Sequence, residues 1–225
     1  MKRIINPELL DSDAGTPREI QDSLADLRTI NRYFGGLHTM RELLSDVASK
    51  RQLKKPSWLD VAGGNGELTH LTSESLRSQG IEVQPVLLDR MPSHLNGRYP
   101  AVAGDALALP FKENSFDVVG SCLFVHHLEP PDVVRFVNEA LRVARHAVLI
   151  NDLIRHRLHV ALAYAGFALY RSRLTRHDAV ASVRRAFTVE EIKTMLQQTE
   201  AVKVEIKTFL PFRMGAIAWK RPSTI

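Results

Sequence analysis

At 225 residues, with 44% hydrophobic and 24% charged side chains, the chain is long enough for one α/β domain with a sizeable core and an appendage. A single cysteine, Cys122, excludes a disulfide framework and a cysteine-based zinc site and suits a reducing, cytoplasmic setting; the net charge of +5 is moderate, compatible with nucleic acid or anionic substrates without singling out either. The N-terminus has no long apolar run, so no signal peptide is predicted, and no stretch is long enough to span a bilayer.

Thr16-Pro17-Arg18-Glu19 is a capping-box pattern with proline at the first helical position. Ile20, Leu24, Leu27, Ile30 and Phe34 then predict an amphipathic helix that stops at Gly35-Gly36. Leu37, Met40, Leu43, Leu44 and Val47 predict a second, followed by a basic, polar linker from Lys50 to Pro56. Residues 1–54 are read as a helical cap on a domain spanning 55–225. The words around Arg32 and Tyr33 are either a plain helix end or a segment that closes over a ligand, with those two side chains touching substrate.

Trp58 to Val61 reads as a buried strand, a glycine-rich turn follows, and Leu68, Leu71, Thr72 and Leu76 recur at helical spacing up to Gly80. Strand, glycine turn and helix bring backbone close to a ligand and aim helix N–H groups at it. A dinucleotide fingerprint requires a third glycine that Gly64-Asn65-Gly66-Glu67-Leu68-Thr69 lacks. Instead Asp60 ends the strand, with Ala62, Gly63, Gly64 and Gly66 after it. This run resembles motif I of the class I S-adenosylmethionine-dependent methyltransferases, acidic-x-Gly-x-Gly-x-Gly, with Ala62 in place of the first glycine. The resemblance implies a doubly wound, Rossmann-like seven-stranded sheet, mostly parallel with a C-terminal antiparallel hairpin. It also implies S-adenosylmethionine as cofactor, S-adenosylhomocysteine as product, and motif I as part of the cofactor site.

The next strand, Val83 to Leu88, ends in Asp89, 23 residues beyond Gly66, where an α/β nucleoside site places a carboxylate for the ribose. Two acceptor oxygens match the two donors of a cis-diol; the plain alternative is a cap on the next turn. Arg90 and Met91 follow, Met91 being suited to lie on an adenine face. Gly104-Asp105-Ala106 through Phe111 resembles the family's third motif, which implies Asp105 at the adenine amino group and the Ala106 N–H at a ring nitrogen; a surface turn is the alternative.

Phe116 to Pro130 is a strand running into a His-His-Leu loop and resembles the fourth motif of small-molecule methyltransferases. That implies Ser121 beside the cofactor and His126 or His127 near the sulfonium, where an imidazole can take a proton from a phenol or enol. A histidine that packs under the adenosine is the alternative, His127 being the more structural of the two. No Asn/Asp-Pro-Pro-Tyr run, the usual mark of enzymes that methylate amino groups of bases or glutamine, is present; Asn151-Asp152 could supply half of a catechol-type metal site, but Ser121-Cys122 supplies no first hard oxygen ligand, so no metal is expected.

A strand over Ala147–Ile150 ends in Asn151-Asp152, with Asp152 a substrate contact, a general base or a turn-former. Leu153 to Tyr170 carries one helical apolar stripe and opens a helical lid inserted over 153–187. Seven arginines stand between Asn151 and Arg185 against Asp152 and Asp178. They are a solvated face, a membrane-surface contact, or a site where Arg176 or Arg184 binds an anionic or polyoxygenated acceptor with His177 as an alternative base. Thr188 to Glu191 is a second capping box, and the alternation from Val202 predicts a hairpin with Arg213 to Trp219.

The expected function is methyl transfer to the oxygen, or enolate carbon, of a phenolic or polyketide-like small molecule of natural-product type. An RNA or protein methyltransferase using the basic face, and a non-catalytic cofactor-binding protein, are the alternatives.

Overall fold

The sheet is held by strands whose alternate residues feed two apolar layers. The computed structural model describes residues 1–92, 95 and 97–221. Its strands are β1 (Ser57–Val61), β2 (Gln84–Asp89), β3 (Ala101–Ala103), β4 (Phe116–Cys122), β5 (Ala144–Leu153), β6 (Lys203–Phe209) and β7 (Arg213–Trp219). They form one seven-stranded sheet in the order β3-β2-β1-β4-β5-β7-β6. The first five pair in parallel, and β7 runs antiparallel to both β5 and β6.

The helices are α1 (Pro17–Tyr33), α2 (Gly36–Arg51), α3 (Glu67–Arg77), α4 (Pro130–Val143), α5 (Arg157–Ala165), α6 (Arg173–Arg185) and α7 (Val189–Leu196). Side chains alternate across a strand, so Trp58, Val118, Leu149 and Ile217 face one way and meet Met40, Leu43 and Val47 of α2 and Leu76 of α3. Leu59, Val119, Val148 and Ala216 face the other way, onto Phe136 and Val137 of α4 and Ile192 and Leu196 of α7. Helix α2 is thus one of the layers covering the sheet. Both capping boxes form, at Thr16–Glu19 and Thr188–Glu191, each side chain accepting the other's backbone N–H.

Three elements differ from the sequence-based expectation. Strand β5 runs to Leu153, because β7 pairs with it from Ala147↔Trp219 to Leu153↔Arg213. The helix expected from Leu153 therefore starts only at Arg157, behind a His156 cap, and ends at Gly166. Helix α6 follows where the sequence showed mainly arginines. Its Leu174, Val180, Ala181 and Val183 are buried, and the Ser172 side chain caps it.

Helices α1 and α6 join through buried polar contacts. Asp26 of α1 accepts the N–H groups of Arg171 (2.9 Å) and Ser172 (3.1 Å), and Thr175 Oγ1 donates to Ser23 Oγ (3.1 Å). Residues 1–15 cross the loop after β4. Arg3 donates to the carbonyls of His126, Leu128 and Arg185, and Asp178 accepts the N–H groups of Leu9 and Leu10.

Candidate active site

Strand order reverses between β1 and β4, and the C-terminal ends of β1, β2, β4 and β5 open on one cavity of about 1110 Å³. Such a switch point is where open α/β sheets bind ligands. Leaving β1, the chain takes left-handed conformations at Ala62 (φ 57°), Gly64 (φ 53°) and Gly66 (φ 68°). Two of these are glycines, which take that region without strain; Ala62 does so at a cost. A side chain added at Gly66 would collide with Leu87, whereas Gly64 has open space before it.

Asp60 is buried at the end of β1, and Thr69 Oγ1 donates to its Oδ2 at 2.5 Å. Its Oδ1 has no hydrogen-bond partner among the described residues. Burial pushes the carboxyl up, the Thr69 hydroxyl pulls it down and the nearby Asp89 pushes it up again, to about 7. A desolvated carboxylate with an orphaned oxygen fits a cationic group such as the ammonium of S-adenosylmethionine. Asp89, at the end of β2, accepts Gly64 N–H at Oδ2 and Met91 N–H at Oδ1, both at 2.9 Å, which fixes its carboxylate at the rim of the glycine turn. Asp105 accepts Leu107 N–H (2.9 Å) in a tight turn beside Ala106.

Asp60, Ala62, Gly63, Gly64, Asp89, Arg90, Met91, Asp105 and Ala106 all line the cavity. Gly66 supports the turn from behind. Ser121 is buried, its hydroxyl without a hydrogen-bond partner among the described residues, and its neighbour Cys122 forms the wall instead. Burial pushes the Cys122 thiol up to about 12, so it stands protonated, without thiolate nucleophilicity.

His126 lies buried at the cavity floor between two carboxylates. Its Nδ1 is 2.6 Å from Asp152 Oδ1, its Nε2 is 3.2 Å from Glu8 Oε1, and its backbone N–H donates to Asp152 Oδ2. Carboxylates only accept, so both ring nitrogens donate. Burial alone would lower this imidazole, but Asp152 and Glu8 outweigh it and raise it to about 10. That leaves no lone pair for the proton-accepting role read from the sequence. Asp152 is committed to the same clamp and does not line the cavity.

His127 Nδ1 meets Asp11 Oδ2 at 3.0 Å. His177 and Arg176 are outside the lining; His177 pairs with Asp178 (2.8 Å) and Arg176 donates to the Tyr170 carbonyl. Arg184 donates to the Tyr164 hydroxyl, and Arg32 and Tyr33 face solvent. Their neighbours Ile30, Asn31, Phe34 and Arg185 reach the cavity in their place.

The structure adds residues that sequence reasoning passed over. Arg213, fully buried at the start of β7, donates to the Phe34 carbonyl and Asn31 Oδ1. His159 stacks on Phe212 at 5.1 Å, and its Nδ1 donates to the Ile154 carbonyl (3.0 Å), leaving Nε2 as the ring's acceptor. Burial lowers this imidazole to about 4. Glu8 and Asp11 come from the N-terminal segment, and no local sequence signal marks them. Among the described residues no helix is long and apolar enough to cross a membrane.

Residues 59–150 match a family described as a methyltransferase domain. No curated protein matches the sequence. Among solved structures, the plantazolicin methyltransferase BpumL, in complex with a pentazolic desmethylPZN analog and SAH, is similar at TM-score 0.67 and 15% identity, with 95% of each chain covered. A SAM-dependent methyltransferase from Aquifex aeolicus is similar at TM-score 0.55 and 16% identity, covering 79% of this chain and 89% of that one. An O-methyltransferase family 2 protein from Planctomyces limnophilus, in complex with apigenin, is similar at 0.53 and 18%, covering 74% and 50%.

Proposed function

We propose that this chain, a class I S-adenosylmethionine-dependent methyltransferase, methylates the oxygen, or the enolate carbon, of a phenolic or polyketide-like small molecule. The observation that carries this reading is the cavity. Its 1110 Å³ exceeds the roughly 300–1,000 Å³ of a site for one drug-sized ligand, leaving room for an acceptor beside the cofactor. Beyond the glycine turn its walls are Leu24, Leu27, Ile30, Phe34, Leu162 and Leu169, which suit a flat, weakly polar molecule.

Asp89 holds the ribose hydroxyls, Asp105 and the Ala106 N–H read the adenine, and Asp60 pairs with the ammonium. The cofactor supplies a methyl group already activated by the sulfonium. The chain therefore has to align the acceptor and exclude water, steps that position alone can accelerate strongly. His126, charged and clamped, fixes the loop after β4, and Asp152 acts through it as a positioning residue. His159 Nε2 is the neutral acceptor in the wall, and at about 4 it is too weak a base to ionise an ordinary alcohol. Acceptors acidic enough to ionise with little help, such as phenols and β-dicarbonyl enols, are favoured for that reason.

The test is formation of S-adenosylhomocysteine over a panel of phenols, enols, aliphatic alcohols and RNA. Turnover confined to the acidic hydroxyls supports the proposal, and turnover of RNA alone overturns it. A thermal-shift comparison of S-adenosylhomocysteine with NAD checks the cofactor assignment, with stabilisation by the former only.

A further inference from the structure

Two histidines and a glutamate converge at the cavity floor. Glu8 Oε1 lies 3.2 Å from His126 Nε2 and 3.7 Å from His127 Nε2, and the three ligand atoms all fall within 4.8 Å of one another. Tetrahedral bonds of about 2.0–2.1 Å, as zinc makes to nitrogen and oxygen, separate neighbouring ligand atoms by roughly 3.3 Å. Both separations from Glu8 Oε1 lie near that value.

The other nitrogen of each ring meets a carboxylate. His126 Nδ1 is held by Asp152 (2.6 Å) and His127 Nδ1 by Asp11 (3.0 Å). Metal-binding imidazoles characteristically donate their other N–H to a carboxylate in this manner, which fixes the tautomer and makes the ligating nitrogen more basic. His127 Nε2 faces Glu8 Oε1 at 3.7 Å, too long for an N–H···O hydrogen bond and short enough for both atoms to bind one ion between them.

Glu8 does not arrive by chance contact. The segment carrying it is fastened on one side by Arg3, which donates to the His126 and Leu128 carbonyls, and on the other by Asp178, which takes the Leu9 and Leu10 N–H groups. Ser182 Oγ also donates to Glu8 Oε1 at 2.7 Å. All three candidate ligands line the cavity.

We infer that Glu8, His126 and His127 form a binding site for a divalent transition-metal ion, with Asp152 and Asp11 supporting the two imidazoles and a coordination position open to the cavity. The ion takes the place of the proton between His126 and Glu8. Three protein ligands and an open fourth position is the arrangement of zinc sites that act on substrates rather than brace a fold. On the methyltransferase reading above, the open position receives the acceptor oxygen, and a Lewis acid there favours its ionised form.

The test uses the full-length, tag-free chain in equilibrium dialysis against Zn²⁺, with metal and protein assayed together. The expected result is about one zinc ion per chain. Glu8→Gln and His127→Ala each weaken zinc binding at least tenfold, and Asp11→Asn weakens it by about 10- to 100-fold through the supporting carboxylate. Asp11 is half exposed, so this last change spares the packing. Thermal stabilisation by S-adenosylhomocysteine, measured on the same samples, persists in all three variants and certifies their fold. Zinc uptake absent from the wild type, or unaltered by the three substitutions, overturns the inference. Zinc uptake with no response to S-adenosylhomocysteine leaves the metal site standing and overturns the methyltransferase reading instead.

Discussion

Replacing Asp60 by Asn should make the cofactor-free protein more stable above neutral pH while weakening cofactor binding. Asp60 is 3% exposed and its carboxyl is raised from 3.8 to about 7, through burial first and proximity to Asp89 after the opposing Thr69 hydrogen bond. For an acid raised in the folded state, the favourable contribution is complete below the unfolded value and is lost as pH climbs through the folded one. The window is therefore roughly pH 4 to 7, with the charged form least tolerated above it. At about 1.36 kcal/mol per tenfold change in acidity, the difference amounts to roughly 4 kcal/mol between pH 3.8 and pH 8, an upper figure because the site relaxes. Asn keeps the shape, still accepts from Thr69 Oγ1 and carries no charge. Urea unfolding of both proteins without cofactor, from pH 4 to pH 8, should show the wild type losing stability relative to Asp60→Asn as pH rises. At pH 8, S-adenosylhomocysteine should bind the variant more weakly, since the ammonium has lost its partner. If the two stability curves run parallel across that range, Asp60 is not the strained carboxyl described here, and its pairing with a cation loses its ground.

Three further outcomes follow from the same geometry. Ala62→Gly should raise stability by roughly 0.5–1 kcal/mol, the relief of about 1–2 kcal/mol of left-handed strain less about 0.4–1 kcal/mol of added chain entropy; a lowered urea midpoint would contradict it. Asp89→Ala removes an acceptor whose charge-assisted hydrogen bonds contribute about 1.5–3 kcal/mol each, so calorimetry should show S-adenosylhomocysteine bound at least tenfold more weakly. An unchanged Kd would remove Asp89 from the ribose. Phe34→Ala, at an exposed side chain on the acceptor side, should raise the acceptor KM roughly fivefold for about 1 kcal/mol of lost apolar contact and leave cofactor affinity alone. A shift in cofactor affinity instead would misplace the acceptor.

Local chemistry was readable wherever a short word carries its own geometry. The capping boxes at Thr16 and Thr188 need only residues three apart, and both are formed. The strand, glycine turn and helix after Trp58 likewise lie within one stretch of chain, and the residues read there converge on the cavity, as do Asp89 and Asp105 at the ends of neighbouring segments. The arginine-rich stretch after Asn151 was less legible. Four buried apolar residues spread among basic ones give no clear period, so the sequence indicates a helical lid over 153–187 without resolving α6 inside it, and of the arginines there it is Arg185, beside the candidate Arg184, that reaches the cavity wall. The last residues of β5 carry no strand signal of their own, because they owe their extended form to β7, some sixty residues further on.

By itself the sequence determined the alternation that builds a two-faced sheet, the glycine turn that opens on the cavity and the order of the elements, because each rests on contacts between residues near in the chain. Only the tertiary structure decided what the histidines after β4 do. Nothing near His126 and His127 in sequence says that Asp152 stands behind one and Asp11 behind the other, with Glu8 in front of both. Those carboxylates come from residues 26 and more than a hundred positions away, and an imidazole's charge and role are set by whatever the fold brings within hydrogen-bond reach of its two nitrogens.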